Sequence, residues 1–370
     1  LLQTKSLNNL KSLNFFSKVE TEIIDGENQN NKIINITVEE KPTGEIMAGA
    51  GVGTSGGTVQ FGVSENNFLG RGIEFSSDLT LSADTLKGII SLNNPNYQGS
   101  NRSLNTSIES TITDRLSDYG YKSNKTGFSI GSGFEFYDDL YWNTGVSTYV
   151  EKLDTDKKAS ASIKKQEGSY FDAYFNQIFS YDKRNQKYKT SSGYISRFSQ
   201  NIPIISDTYT LTNGYDYKIY NQWLDENIFS LGYYLKTSNS LNGENVKLSD
   251  RLYLPETKLR GFESGKVGPK DGADFIGGNY VSSLNLATTL PQILPSLQNT
   301  DFSIFFDAAN IWGIDYDSNV VDDSNIRSSI GIAVNFFTPV GPLAFSLSET
   351  ISKGKNDKTE AFRFNLGTTF

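Results

Sequence analysis

The sequence predicts an all-β transmembrane barrel of about 16 antiparallel strands, preceded by a partial α+β segment, and three observations predict it. From Glu45 to Phe370 apolar and polar residues alternate with a period of two, as strands with one oily and one polar face require. The alternating segments run about ten residues or longer, the length of a tilted membrane strand, whereas soluble strands average about 5–6. The polar face is built of Ser, Asn, Thr and Gly rather than Lys and Glu, which suits a lumen. A soluble sandwich also alternates, so the last two observations carry the distinction.

Residues 1–43 differ from the rest. Leu7, Leu10, Leu13 and Phe16 recur at helical spacing and predict an amphipathic helix over roughly 1–15. Val19–Ile24 and Lys32–Glu40 read as two strands joined by the polar turn Asp25-Gly26-Glu27-Asn28, and Pro42 ends the ladder. One helix and two strands bury too little to stand alone. The chain opens at Leu1-Leu2-Gln3-Thr4 with no basic and apolar leader, so we expect it to begin inside a small domain.

From residue 44 onward the strands are predicted at 45–54, 57–65, 71–82, 87–93, 102–113, 124–136, 140–153, 167–181, 188–201, 207–220, 227–238, 278–290, 300–309, 326–337, 342–351 and 360–370. In the last, Phe362, Phe364, Leu366 and Phe370 share one face and Arg363, Asn365 and Thr369 the other. Phe302, Ile304, Phe306 and Ala308 likewise oppose Ser303, Phe305 and Asp307. One connection is out of scale: 239–277 has little strand pattern, where loops usually run about 4–6 residues. It is expected either to decorate the outside or to fold into the lumen.

Composition narrows function. The 370 residues include no His and no Cys, which removes thiol nucleophiles, Ser-His pairs, disulfides and the usual transition-metal ligands. The net charge of −8 speaks against a nucleic-acid partner. No stretch approaches the ~20 apolar residues of a membrane helix. Asp138-Asp139 and Asp322-Asp323 fall in turn-like segments and read as solvated loop acids rather than acid/base dyads. No cofactor or metal is expected, and no enzymatic activity.

Several motifs stand in a fixed order. Asn67-Phe68-Leu69-Gly70-Arg71-Gly72 follows the second barrel strand. Leu259-Arg260-Gly261-Phe262 sits in the long loop, followed by Val267-Gly268-Pro269 and Gly277-Gly278-Asn279. Phe305-Phe306-Asp307-Ala308-Ala309-Asn310-Ile311-Trp312, Thr338-Pro339-Val340-Gly341-Pro342-Leu343 and the closing Phe364-Asn365-Leu366-Gly367-Thr368-Thr369-Phe370 complete the set. In this order they resemble the BamA family of outer-membrane protein assembly factors over essentially the whole chain, with Ala309 where the family has glycine.

The resemblance implies that 1–43 is the later part of the last periplasmic POTRA domain and that 44–370 is the outer-membrane barrel, its 239–277 loop inserted in the lumen. It implies that Phe362, Phe364, Leu366 and Phe370 form a C-terminal recognition signal. From the residues alone, Arg260 reads as a solvated loop arginine and Asp307 as a lumen-wall charge. The resemblance makes them partners, which suits a guanidinium in a confined lumen. Many relatives place a second carboxylate where this chain has Asn285, which is able to accept a hydrogen bond but carries no charge.

The first barrel strand holds Gly49, Gly51 and Gly53, with Ala50 among the small outward residues, and it must close against the strand that carries Gly367 and Phe370. Glycines there serve either barrel curvature or a weak seam; the resemblance implies a seam that opens sideways into lipid. The function implied is folding and insertion of unfolded outer-membrane protein clients. The partners implied are outer-membrane lipid, lipopolysaccharide and accessory lipoproteins. A two-partner-type secretion transporter or a TamA-like translocation and assembly protein is the nearest alternative, with a passive porin and an outer-membrane hydrolase further off.

Overall fold

The computed structural model describes residues 7, 10, 11, 13–26, 32–187, 189–224, 227–290, 300–315, 320–338 and 341–367. The predicted N-terminal helix falls mostly outside these. Its continuation is a two-stranded sheet of β1 (Phe16–Asp25) and β2 (Lys32–Glu40), paired antiparallel from Phe16↔Glu40 to Asp25↔Lys32.

Sixteen strands then close into one ring. They are β3 (Gly44–Gly53), β4 (Gly56–Phe68), β5 (Ile73–Ser82), β6 (Thr85–Asn94), β7 (Ser103–Arg115), β8 (Tyr121–Tyr137), β9 (Leu140–Thr155), β10 (Gly168–Asp182), β11 (Gly193–Ser206), β12 (Thr210–Leu224), β13 (Asn227–Ser240), β16 (Tyr280–Thr289), β17 (Thr300–Trp312), β18 (Arg327–Thr338), β19 (Gly341–Ser352) and β20 (Phe362–Leu366). Each is antiparallel to its neighbours, and β20 pairs back to β3. A short hairpin of β14 (Lys270–Asp271) and β15 (Asp274–Phe275) lies outside the ring, within the long loop.

The alternation sorts side chains as a membrane barrel needs. Ile46, Phe61, Leu81, Ile108, Ile332, Leu347 and Phe362 stand exposed on the outer wall, where lipid rather than water makes burial of apolar surface favourable. The opposite positions, such as Ser123, Ser147, Ser283, Asp307 and Arg363, are buried inside. Closure joins each strand to two neighbours, the arrangement that lets strands cross a bilayer, with β20 and β3 the least extensively paired among the described residues.

Two strand boundaries differ from expectation. The segments predicted at 188–201 and 207–220 run at Gly193–Ser206 and Thr210–Leu224. Between β10 and β11 the Asn185 side chain accepts from the Ser191 and Ser192 amides in a polar turn. Pro203 is accommodated inside β11 because the register with β10 shifts between Ala173 and Tyr174, and a bulge is where a strand tolerates a residue without an amide proton.

Because consecutive strands run in opposite directions, the connections fall at two ends. The N-terminal sheet and the turn 69–72 lie at one end. At the other lie residues 54–55, the short helical turns Leu116–Tyr119 and Ala161–Lys164, the long loop and 353–361. The Asn67-Phe68-Leu69-Gly70-Arg71-Gly72 motif is this first kind of turn. Leu69, Gly70 and Gly72 all have φ near +60°, and Asn67 Oδ1 accepts from the Gly72 amide at 2.7 Å. A Cβ on Gly72 would stand 3.6 Å from the Phe15 ring, so the turn abuts the N-terminal segment.

Candidate functional site

The long loop between β13 and β16 folds into the barrel, because its apolar residues have nowhere else to be buried. Leu252, Leu254, Leu259, Phe262 and Val267 pack with Val281, Ala309 and Ile311 of the wall. Leu248 and Ile276 form a second cluster with Tyr121, Leu153, Ala159 and Ile163. The loop thus brings two packed apolar clusters into the lumen at this end. Ala309, standing where glycine was anticipated, is buried in the first cluster, so its methyl group fills space under the loop.

Each residue of the Leu259-Arg260-Gly261-Phe262 motif has a separate task. Leu259 and Phe262 are buried in the apolar cluster. Gly261 has φ +90°, and a Cβ there would come within 3.1 Å of Ser329 and 3.2 Å of Ser348, so both backbone geometry and space require glycine. Its carbonyl accepts from the Glu360 amide at 3.0 Å.

Arg260 meets Asp307 with a fork. Nε donates to Oδ2 at 2.7 Å, Nη2 to Oδ1 at 2.8 Å, and the Arg260 backbone amide adds a bond to Oδ2 at 3.1 Å. The guanidinium also lies over the Phe305 ring, 3.4 Å from its centroid. Asp307 is fully buried, and an ionised carboxylate offers about four lone-pair sites. Asn285 takes the fourth: its Nδ2 donates to Asp307 Oδ1 at 2.8 Å and to the Lys258 carbonyl at 2.9 Å. The sequence reading gave Asn285 the role of an acceptor. The structure makes it a donor that braces the carboxylate, because its cross-strand register partner is Asp307 itself.

Residues not anticipated from sequence hold the rest of the loop. Lys247 is buried between Glu151 of β9 and Asp172 of β10, 2.8 Å from each, with Asp250 at 3.5 Å. Burial works against its charge, but the three carboxylates outweigh this and raise its pKa well above the ordinary range. Asp315 accepts from Arg251 and from the Val246 amide. The available signal was that Glu151 and Asp172 are charges on strand faces that are largely uncharged.

The loop 353–361 joins the same assembly. Asp357 accepts from Gly268 N at 2.9 Å and from Arg327 Nε at 2.8 Å. The backbone of 261–266 pairs with 358–360 through Glu263 N to Lys358 O, Lys358 N to Lys266 O, and Glu360 N to Gly261 O, each 3.0 Å. Asp323, read as a solvated loop acid, instead forms an ion pair with the fully buried Arg327. Asp139 does sit in an exposed turn, paired with Lys183.

At the seam β20 pairs with β3 at Asn365↔Gly53 and Leu366↔Val52, and Thr54 N adds a bond to Phe364 O at 3.1 Å. A Cβ on Gly53 would collide with the Asn365 side chain and the Phe364 carbonyl, one on Gly51 would stand 3.2 Å from Leu366 O, and one on Gly367 would stand 2.5 Å from Ala50 O. Gly367 has φ +120°. The glycines thus bring two backbones close together where, among the described residues, few ladder bonds join them. Gly49 faces the same inner wall, while Phe362 and Leu366 point outward. Phe370 lies outside the described residues, as do Pro339 and Val340.

Comparison with known proteins agrees with this geometry. Residues 67–370 match the Omp85 superfamily domain. The chain is 25% identical to the outer membrane protein assembly factor BamA of Neorickettsia risticii over 97% of its own length and 49% of that protein's. It is 25% identical to BamA of Nitratidesulfovibrio vulgaris over 99% of its own length and 47% of the relative's. The chain thus spans about half the length of the curated relatives it matches. The crystal structure of BamA from Haemophilus ducreyi lacking POTRA domains 1-3 superposes with a TM-score of 0.88 at 25% identity, over 98% of this chain and 77% of that one. A sixteen-stranded barrel with these relatives is an outer-membrane protein. The chain belongs to the Omp85 superfamily and fits a member of its BamA family.

Proposed function

We propose that this barrel folds β-barrel clients and inserts them into the outer membrane through the seam between β3 and β20. The observation that carries the reading is the contrast at β3. It pairs with β4 from Gly44↔Glu65 to Gly53↔Gly56, yet with β20 at Gly53 and Val52. A client strand in lipid has unpaired amides and carbonyls that are costly to leave unmet, and the open edge of β3 offers partners for them. Small outward residues such as Ala48 and Ala50 thin the apolar band there. No covalent chemistry is required, so we infer that the protein works without catalysis, metal or cofactor.

The names of the relatives support unfolded outer-membrane proteins as clients. The same reading takes residues 1–43 as the end of a periplasmic POTRA domain, with lipid, lipopolysaccharide and accessory lipoproteins as partners. Depleting the protein and taking a census of outer-membrane proteins tests it. Loss of many unrelated barrels is expected; loss of a single exported protein would favour the secretion transporter. A disulfide between Ala50→Cys and a cysteine on the last strand should abolish assembly, and a locked barrel that still assembles clients would defeat the lateral-seam reading.

A further inference from the structure

Among the described residues the ladder between β20 and β3 is short, and a second set of bonds runs over it from inside. Glu256 belongs to the lumen loop, far in sequence from both seam strands. On one side Ser55, in the turn that follows β3, donates its hydroxyl to Glu256 Oε2 at 2.8 Å. On the other, Arg363 of β20 donates from Nη1 to the Glu256 carbonyl at 3.3 Å, with the carboxylate 3.7 Å from the same nitrogen.

Arg363 is itself buried and fully engaged. Its Nη2 donates to the Phe262 carbonyl at 2.7 Å and its Nε to Glu360 at 2.8 Å. β20 therefore hangs from the lumen loop and its partner loop through one guanidinium. Glu256 passes that connection across to β3. We propose that Glu256 is a positioning residue that latches the seam, so that β3 and β20 part only when the Ser55–Glu256 bond breaks.

The geometry separates the two halves of the latch. Replacing Glu256 by Ala removes the Ser55 bond and the 3.7 Å ion contact with Arg363, but Arg363 keeps the Glu256 and Phe262 carbonyls and Glu360, so β20 stays on the loop while β3 is released. With a few ladder bonds to break among the described residues, one further hydrogen bond is a sizeable share of what holds the seam. The inference takes the lateral seam from the function proposed above, but its test needs no client.

The chain has no native cysteine, so spin labels on Val52→Cys and Leu366→Cys, register partners across the seam, report its opening in lipid vesicles. Glu256→Ala and Ser55→Ala should each raise the open-to-closed ratio about threefold to tenfold, the worth of one ordinary hydrogen bond at an exposed site. The double variant should do no more than Glu256→Ala alone, because that change already removes the only bond to Glu256 that Ser55→Ala deletes. Glu256→Gln, which still offers an oxygen to Ser55, should stay within about twofold of the parent. An unchanged ratio in Ser55→Ala, or additive effects in the double variant, would overturn the latch. A seam that opens as expected while client assembly is unaffected would keep the latch and count against the insertion reading instead.

Discussion

The two sides of the ring are built differently. β9 and β10 pair without interruption from Gly168↔Leu153 to Tyr181↔Leu140, whereas β20 and β3 share Asn365↔Gly53 and Leu366↔Val52. The lumen loop touches both sides. Against β9 and β10 it places Lys247 between two buried carboxylates. At the seam it supplies Glu256 and receives Arg363, both more accessible than the Lys247 cluster. On the wide wall the loop is pinned to strands that are already joined, and at the seam it bridges strands that scarcely are. Backbone pairing and loop docking are thus separate devices, and only at the seam does the second stand in for the first.

The comparison breaks most visibly on the strong side. Lys247→Met leaves Glu151 and Asp172 buried without their cation, and breaking a buried pair costs about 3–5 kcal/mol. The temperature at which the detergent-purified barrel loses its compact migration on unheated gels should fall steeply; a small change would mean that the wall does not depend on the loop.

Arg260→Ala is expected to follow at about 3 kcal/mol, since Asn285 still bonds the Asp307 carboxylate. Arg260→Lys should recover only part of this, because an ammonium cannot reproduce the fork. The same gel assay ranks the three proteins, and equality of Lys with Arg would remove the argument from geometry.

Asn285→Asp sharpens the reading of the site. Here Asn285 donates to Asp307, so a second carboxylate replaces a hydrogen bond with repulsion, a loss of about 1–3 kcal/mol. Greater stability would show that Arg260 re-aims to serve both acids.

The smallest effect belongs to the seam. Gly51→Ala places a Cβ 3.2 Å from the Leu366 carbonyl, whereas Gly88→Ala meets only Leu79 at 4.0 Å. The first should widen the Val52–Leu366 label distance at a stability cost below about 1 kcal/mol, with the second as an inert control on distance. Equal shifts in the two would argue that the seam is no softer than the rest of the ring.

Much of this was legible in the residues. A side-chain period of two, carried through long segments, leaves one arrangement in which all apolar faces meet lipid, and the strand number followed from counting those segments. Inward placement of Asp307 and Arg363 followed from the same parity. The boundary of β11 did not, because Pro203 breaks the pattern inside the strand and only the bulge beside it, at Ile204, reveals that the ladder continues.

By itself, the sequence determined which faces look outward and where the long loop lies, while the pairing of its arginine with an acid came from the family resemblance. Tertiary structure alone decided that Asn285 donates rather than accepts, that Lys247 sits between Glu151 and Asp172, and that Glu256 reaches both Ser55 and Arg363. Facing is a local property, repeated every second residue. These contacts join positions 22 to 201 residues apart, and they exist only once ring closure has set the register and brought the loop end together.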